Sequence, residues 1–290
     1  MNTTHPNPTV STDISVQEAM LQPADLEVYV HELPVAAAVL PRLQSMLLSE
    51  GTDIADVVDL VMLDPGLAAR VMHAAASSIY GRGEPIRSLE EALARLGSDE
   101  VFRITAAFAM SRFLNKTLCV YGLGPEEYWR RSLACAFAMV DLAPANGLDD
   151  RVAYTVGLLH GLGMVFIDHH LRATGNARVR LAEHSTRPLP VQELSLTGMT
   201  HAQVAGIVLR AWNFSEEVVA PIENQFDPIA AGLHRPMTAL LAEAREVASE
   251  IVGKLPSAGS VGGLSSVDWA GDDWSASIAA QILVIEGSMR

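Results

Sequence analysis

The residues with the clearest capacity for chemistry lie where a long apolar helix is predicted to stop. Residues 153–170 read AYTVGLLHGLGMVFIDHH, so that His160 stands next to Gly161 within an apolar run and Asp168 follows. His201 lies further along the chain, just after Thr200. Neutral imidazole is a common metal ligand, and a histidine at a glycine break in so apolar a run therefore indicates a candidate metal site.

Each histidine also has a structural explanation. His160 is equally consistent with a core histidine that is hydrogen-bonded at a helix end. His201 fits a capping role, or support for a neighbouring functional residue. His169 and His170 are adjacent, so they point to different sides of a helix, and we expect a surface pair at a helix C-terminus, where cations are favoured.

Arg131 is a further polar residue of interest, two positions after Trp129 in a helix predicted to begin at Pro125. A guanidinium is always protonated and offers only donors, so it cannot ligate a metal. It can hold an anion such as phosphate, or pair with a core carboxylate such as Asp141. An ion pair at the mouth of a pocket is the structural alternative.

The elements that position these residues are helices, because apolar residues recur at helical spacing through most of the chain. Four helix starts have recognisable caps: Asp64 before Pro65, Ser88 with Glu91, Asp149 or Asp150, and Thr200 with Gln203. We therefore predict an all-α fold, a bundle of many helices.

Three regions are predicted along the chain. Residues 1–30 form an N-terminal leader that is partly disordered, and residues 31–254 form the main domain. Residues 255–290 hold a linker rich in Gly and Ser, followed by a C-terminal helix that we expect to add little to the core.

Composition excludes several functional classes. The chain has 290 residues and a formal net charge of −14, and such an acidic surface repels phosphate backbones, so no nucleic-acid partner is expected. No run reaches the ~18 uninterrupted apolar residues of a membrane helix. The first residues lack a basic segment followed by an apolar one, so we see no secretory signal and expect a cytoplasmic protein.

Five stretches of the sequence, in this order, resemble those of the HDOD family, the HD-related output domain. They are Leu33-Pro34-Val35, DPGLAARVM (64–72) with SSIYG (77–81), IRSLEEALARLG (86–97), WRRS (129–132) and GLLHGLG (157–163). Ser77 is a departure, because the family usually has Asn there. The resemblance covers about residues 33–226 and implies an HD-domain-like helical bundle used in bacterial signalling.

The resemblance also implies where a metal site would be. HD enzymes hold metals through a His, a His-Asp pair and a later Asp. In this chain the first His position is Arg131, the pair is His160-Gly161, and the Lys that often follows is Met164. His201 falls where HD relatives often place a functional His. The resemblance therefore implies a degenerate pocket, with no cofactor and no catalytic residues.

Three functions remain open. The leading hypothesis is a non-catalytic signalling module that contacts a partner protein. The second is a divergent metal-dependent phosphohydrolase using His160, His201 and a carboxylate such as Asp168. The third is a sensor of a small anion or nucleotide that uses Arg131. Candidate ligand-binding residues of the degenerate pocket are Trp129, Arg131, His160, Gly161, Asp168 and His201; the sequence leaves the oligomeric state open.

Overall fold

The computed structural model of the chain describes residues 19–30, 41–43, 46, 54–76, 86–181, 186–255 and 272–288. Across these residues it contains thirteen α-helices, two short 3-10 turns and no strand. The predicted all-α class is confirmed. Of the stretches that carried the family resemblance, those at 33–35 and 77–81 lie outside the described residues, as does the Ser77 departure.

The helices follow one another with short connections in most of the chain. In order they are α1 (Pro23–Val30), α2 (Ile54–Met62), α3 (Pro65–Ala76), α4 (Leu89–Leu96), α5 (Ser98–Leu114), α6 (Pro125–Leu142), α7 (Asp150–Leu159), α8 (Leu162–Ala173), α9 (Leu189–Thr197), α10 (His201–Ala211), α11 (Glu216–Glu223), α12 (Arg235–Lys254) and α13 (Asp273–Ser288).

The helix starts follow the capping residues that the sequence indicated. The Asp149 carboxylate accepts two amide N–H groups in the first turn of α7. Thr200 and Gln203 form a reciprocal capping box at α10. The Ser88 hydroxyl accepts from the amide of Glu91 at the start of α4. Two of these caps fix the starts of α7 and α10, the helices on which the candidate histidines depend.

The α6 helix forms the centre of the bundle, with α7 and α12 packed along it. Gly157 of α7 allows one of these close contacts, because a Cβ there would lie 2.7 Å from the Cα of Ala136. Gly163 at the start of α8 has the same role against α10, where a Cβ would overlap the carbonyl group of His201. These two glycines bring α7 against α6 and the start of α8 against the start of α10.

Part of the predicted N-terminal leader is packed on the domain. Within residues 19–30, the helix α1 lies against α10, and Leu21 and Leu26 are buried. The amide of Leu21 donates to the carbonyl of Thr197 at 2.8 Å. The segment therefore covers the outer side of α10.

The C-terminal helix contradicts the expectation that it adds little to the core. The α13 helix packs against α6, α3 and α12, and its buried residues Ile278, Ile282 and Ile285 belong to the main core. Glu286 accepts two hydrogen bonds from the guanidinium of the buried Arg130, at 2.7 and 3.0 Å. Burial of these apolar side chains offsets the cost of ordering the helix.

One stretch, Asp150–Ala173, is long and apolar enough to cross a membrane by length and composition alone. It comprises α7 and α8, separated by the turn at His160 and Gly161, and 83% of its apolar window is buried inside the protein. Core helices have this character, and the burial explains the apolar run without a bilayer.

Candidate functional site

A cavity of about 380 Å³ opens between α6, the turn joining α7 to α8, the start of α10, and α12. Its wall includes four of the predicted site residues, which come from three separate parts of the chain: Arg131, His160, Gly161 and His201. The other lining residues are Tyr121, Leu123, Tyr128, Ser132, Met164, Leu181, Leu189, Ala242, Arg245, Glu246, Ala248 and Ser249.

His160 ends α7 and is held in one orientation. Its Nδ1 lies 2.6 Å from the carbonyl oxygen of Gly157. A carbonyl only accepts, so Nδ1 carries the proton and Nε2 keeps a lone pair. Burial, followed by the positive charge of Arg245, lowers the pKa of His160 to about 3, and His201 and Arg131 add to this effect. At neutral pH the ring is therefore an uncharged hydrogen-bond acceptor.

Tyr128 occupies the space beside Gly161. Its hydroxyl donates to the carbonyl oxygen of Gly161 at 2.8 Å, and burial raises its pKa well above the usual value. A Cβ placed on Gly161 would lie 3.1 Å from Cε2 of the Tyr128 ring and 3.4 Å from its hydroxyl. An aspartate at this position would therefore crowd the phenol ring, which would have to move by a few tenths of an ångström.

Arg131 is bound to a carboxylate on its own helix. Its Nη2 donates to Oε1 of Glu127 at 2.9 Å, one turn earlier in α6. The suggested pairing with Asp141 is wrong, because ten residues of helix separate the two by about 15 Å. Asp141 instead accepts from the indole N–H of Trp274 at 2.8 Å.

His201 is fixed by a buried carboxylate that the sequence analysis did not single out. Glu193 on α9 accepts from the amide of His201 at 2.9 Å and lies 2.8 Å from its Nδ1. It also accepts from the hydroxyl of Tyr121 at 2.8 Å. Both Glu193 and His201 are almost fully buried, with exposures of 0% and 2%.

The electrostatics of this cluster favour an ionised carboxylate. Burial alone would raise the pKa of Glu193, but the charge and hydrogen bonds of His201 and the hydroxyl of Tyr121 outweigh it, so the pKa lies below its usual value. Burial and the charge of Glu193 raise the pKa of Tyr121. The only sequence signal for this cluster was a single glutamate, Glu193, in the apolar segment 189–197. The sequence did not indicate that it pairs with His201 across the next turn.

Arg245 is the second functional candidate that sequence reasoning missed. It enters the cavity wall from α12, and its guanidinium carbon lies 5.1 Å from the centroid of the Phe226 ring. The same ring makes an edge contact with His201, with the centroids 5.2 Å apart. The amphipathic pattern of α12 predicted a helix but did not indicate which of its charged residues faces inward.

Two predicted site residues do not line the cavity. Trp129 is buried in the core. Asp168 is 3% exposed, and its carboxylate accepts from the amide of Val120 at 2.7 Å and lies 3.5 Å from the guanidinium of Arg172. Its contacts hold the loop after α5 against α8.

The expected surface pair of histidines is also wrong in one member. His169 is exposed, but His170 is buried, with an exposure of 7%. Adjacent helical residues point to different sides, as predicted, and the side of His170 faces the core.

The described part of the chain contains no cluster of residues that could bind a metal ion. No three side chains among its His, Cys, Asp and Glu residues come close enough to hold one ion. The cavity instead presents two guanidinium groups, an uncharged imidazole acceptor and several apolar side chains. This arrangement can bind and orient a small molecule.

The sequence model of the HDOD domain matches residues 33–228, about two thirds of the chain. The chain therefore belongs to the HDOD family, as the resemblance of its motifs implied. No curated protein matches it at a significant level.

Solved structures share the fold. An HDOD domain protein of unknown function from Geobacter sulfurreducens superposes with a TM-score of 0.64 and 22% identity, covering 92% of this chain and 96% of that one. A candidate phosphohydrolase from Shewanella amazonensis SB2B superposes with a TM-score of 0.61 and 23% identity, covering 92% of this chain and 93% of that one. A candidate signal transduction protein from Marinobacter aquaeolei VT8 superposes with a TM-score of 0.61 and 24% identity. The match covers 91% of this chain and 59% of that one. These likenesses show that the chain shares the helical fold of those proteins.

Proposed function

We propose that this protein is a non-catalytic regulatory module of bacterial signalling, which acts in the cytoplasm through contacts with partner proteins. The observation that carries the proposal is the chemistry at the two altered HD positions. A guanidinium stands at position 131, and Gly161 offers no carboxylate and lies close to the Tyr128 ring. Family membership supports the same reading.

The residues present do not fit a divalent metal. Catalysis by HD enzymes needs an ion that activates water and binds a phosphoryl group. Arg131 offers no lone pair and brings positive charge to the place where a cation would lie. His160 keeps one lone pair at Nε2, and His201 has Nδ1 engaged by Glu193. One or two imidazoles beside two guanidinium groups are a poor ligand set.

The proposal is tested by hydrolysis assays on the full chain. We expect no turnover above buffer for a panel of nucleotides and phosphoesters with added Mn²⁺ or Mg²⁺, and no stoichiometric metal in the purified protein. Turnover that disappears in His160→Ala but persists in His169→Ala, an exposed histidine one helix further on, would favour the divergent phosphohydrolase instead.

A further inference from the structure

We propose that the cavity binds a small organic oxyanion, a phosphate monoester or a carboxylate carried on an apolar body, and that Arg131 and Arg245 hold the anionic group. The inference rests on the proposed function, since the ligand would be bound and not hydrolysed. It adds Arg245, which no family motif indicated, and it specifies the chemistry of the ligand.

The first support is the placement of positive charge. The chain carries a net charge of −14, yet two guanidinium groups from different helices reach one cavity. Both lower the pKa of His160, which places both charges close to the same ring. Planar guanidinium groups match the oxygen atoms of phosphate and carboxylate groups, often through paired hydrogen bonds.

The carboxylates that the structure describes near this charge are exposed to water or engaged elsewhere. Glu127, the partner of Arg131, has a side chain 44% exposed, so water weakens that pair. Glu193 is committed to His201 and Tyr121 inside the protein. Glu246 is the only carboxylate among the lining residues of the described cavity, and it is exposed.

Arg245 is held in position by an aromatic ring. The guanidinium lies over Phe226, and stacking of this kind uses the face of the group and not its N–H edge. The Phe226 ring in turn contacts His201. The position of Arg245 is therefore linked to the buried Glu193–His201 cluster.

The remaining wall accounts for the rest of the ligand. His160 offers Nε2 as an acceptor for an N–H or O–H group, because its proton is on Nδ1. Ser249 on α12 is exposed and brings a hydroxyl to the wall. Apolar side chains complete it: Leu123, Met164, Leu181, Leu189, Ala242 and Ala248. A volume of about 380 Å³ lies within the range of ~300–1,000 Å³ usual for small-molecule sites.

Calorimetric titration of the full chain with simple probes tests the inference. Phenyl phosphate and benzoate carry the two possible anions on the same apolar ring, inorganic phosphate lacks the ring, and benzyl alcohol lacks the charge. We expect saturable binding of phenyl phosphate or benzoate, whichever anion fits, and at least tenfold weaker binding of inorganic phosphate and benzyl alcohol.

Variants assign the binding to the cavity. Arg131→Gln and Arg245→Gln should each lower the affinity for the preferred probe at least tenfold. Arg172→Gln, which changes an exposed arginine outside the cavity, should leave this affinity within twofold of the unmodified protein. Ser249→Glu adds a negative charge at an exposed wall position, so it should weaken binding without affecting folding. Thermal melts of each variant establish that it is folded.

The outcomes separate this inference from the proposed function. Absence of saturable binding by both anions, or binding unchanged in Arg245→Gln and Ser249→Glu, would overturn the inference and leave the non-catalytic role intact. Release of phosphate from phenyl phosphate in the presence of Mn²⁺ would instead overturn the proposed function. Binding without phosphate release supports both.

Discussion

At the scale of single residues, the cavity is defined by which atoms are already committed to other groups. His160 donates from Nδ1 to Gly157 and keeps Nε2 for other contacts. His201 gives Nδ1 to Glu193. Tyr128 gives its hydroxyl to the carbonyl of Gly161. Arg131 and Arg245 bring positive charge to the same described cavity wall.

The uncharged state of His160 predicts a specific dependence of stability on pH. Its pKa is lowered from 6.5 to about 3, chiefly by burial and Arg245, with smaller effects of His201 and Arg131. The unfolded chain therefore takes up this proton first, so the contribution of His160 is complete above pH ~6.5 and is lost as the pH falls towards 3.

His160→Asn can keep the donor to the Gly157 carbonyl and removes the titrating ring. Between pH 7.5 and 5, the free energy of unfolding, measured in urea, should fall by about 2 kcal/mol more in the unmodified protein than in this variant. His169→Asn, at an exposed site, should behave like the unmodified protein. Equal losses in the unmodified protein and His160→Asn would contradict the prediction.

Tyr128 determines how a metal site could be restored. The sequence alone suggests that Arg131→His with Gly161→Asp rebuilds the ligand spacing, whereas either change alone does not. The structure adds that the new carboxylate meets the Tyr128 ring. We therefore expect Mn²⁺ binding, measured by calorimetry, to be tighter when Tyr128→Leu is added to the double variant.

Recovery in that triple variant should be weak, because supporting groups around metal ligands typically contribute 10–100-fold in affinity. The double variant with Tyr128 retained is the matched control. Equally tight Mn²⁺ binding with and without Tyr128→Leu would mean that the phenol does not block the ligand position.

At the scale of elements, the site depends on close helix contacts and on the docking of α13. Gly157 and Gly163 bring α7 against α6 and α8 against α10, which places the turn at His160 beside the start of α10. The α13 helix packs against α6 and pairs Glu286 with Arg130. Arg130 adjoins Arg131 in α6, so this docking supports the helix that carries the first cavity arginine.

Removing α13 should destabilise the protein substantially. Truncation after Lys254 exposes the surface covered by three buried isoleucines, each worth about 1.5–3 kcal/mol. The melting temperature should fall by more than about 10 °C. Glu286→Gln alone should lower the free energy of unfolding by about 1–3 kcal/mol, because it weakens the pair with Arg130. Glu250→Gln, at an exposed position on α12, should change this free energy little. An unchanged melting temperature after truncation would contradict the docking.

At the scale of the whole molecule, net charge governs the partners that can approach. A formal charge of −14 opposes association with a polyanion, because non-specific DNA binding depends on neutralising phosphates with Lys and Arg. The two cavity arginines are a local region of positive charge on this acidic protein. They suit a small anion and not an extended nucleic-acid backbone.

The charge predicts an absence of DNA binding by the full chain. In a gel-shift experiment with duplex DNA at about 100 mM salt, we expect no retarded band at micromolar protein, with a basic DNA-binding protein as the positive control. A retarded band that weakens with added salt would contradict this expectation.

The sequence by itself determined the helical class, the family and most helix starts. Helical periodicity and capping residues such as Asp149 and Thr200 are local signals, because they act between residues one turn apart. The family resemblance also predicted a pocket of six residues: Trp129, Arg131, His160, Gly161, Asp168 and His201. The structure places Arg131, His160, Gly161 and His201 on one cavity wall, whereas Trp129 and Asp168 do not line it.

Only the tertiary structure decided which other side chains complete that wall. Tyr121 meets Glu193 across 72 residues of chain, and Arg130 meets Glu286 across 156. Contacts between residues so far apart have no pattern in the sequence. Arg245, which faces inward, is therefore indistinguishable in the sequence from any other charged residue of an amphipathic helix. The ring of Tyr128 beside Gly161 likewise depends on the packing of α6 against the α7–α8 turn. Local sequence sets where helices begin and end, whereas the contacts between distant helices set which charges are buried and which side chains face the cavity.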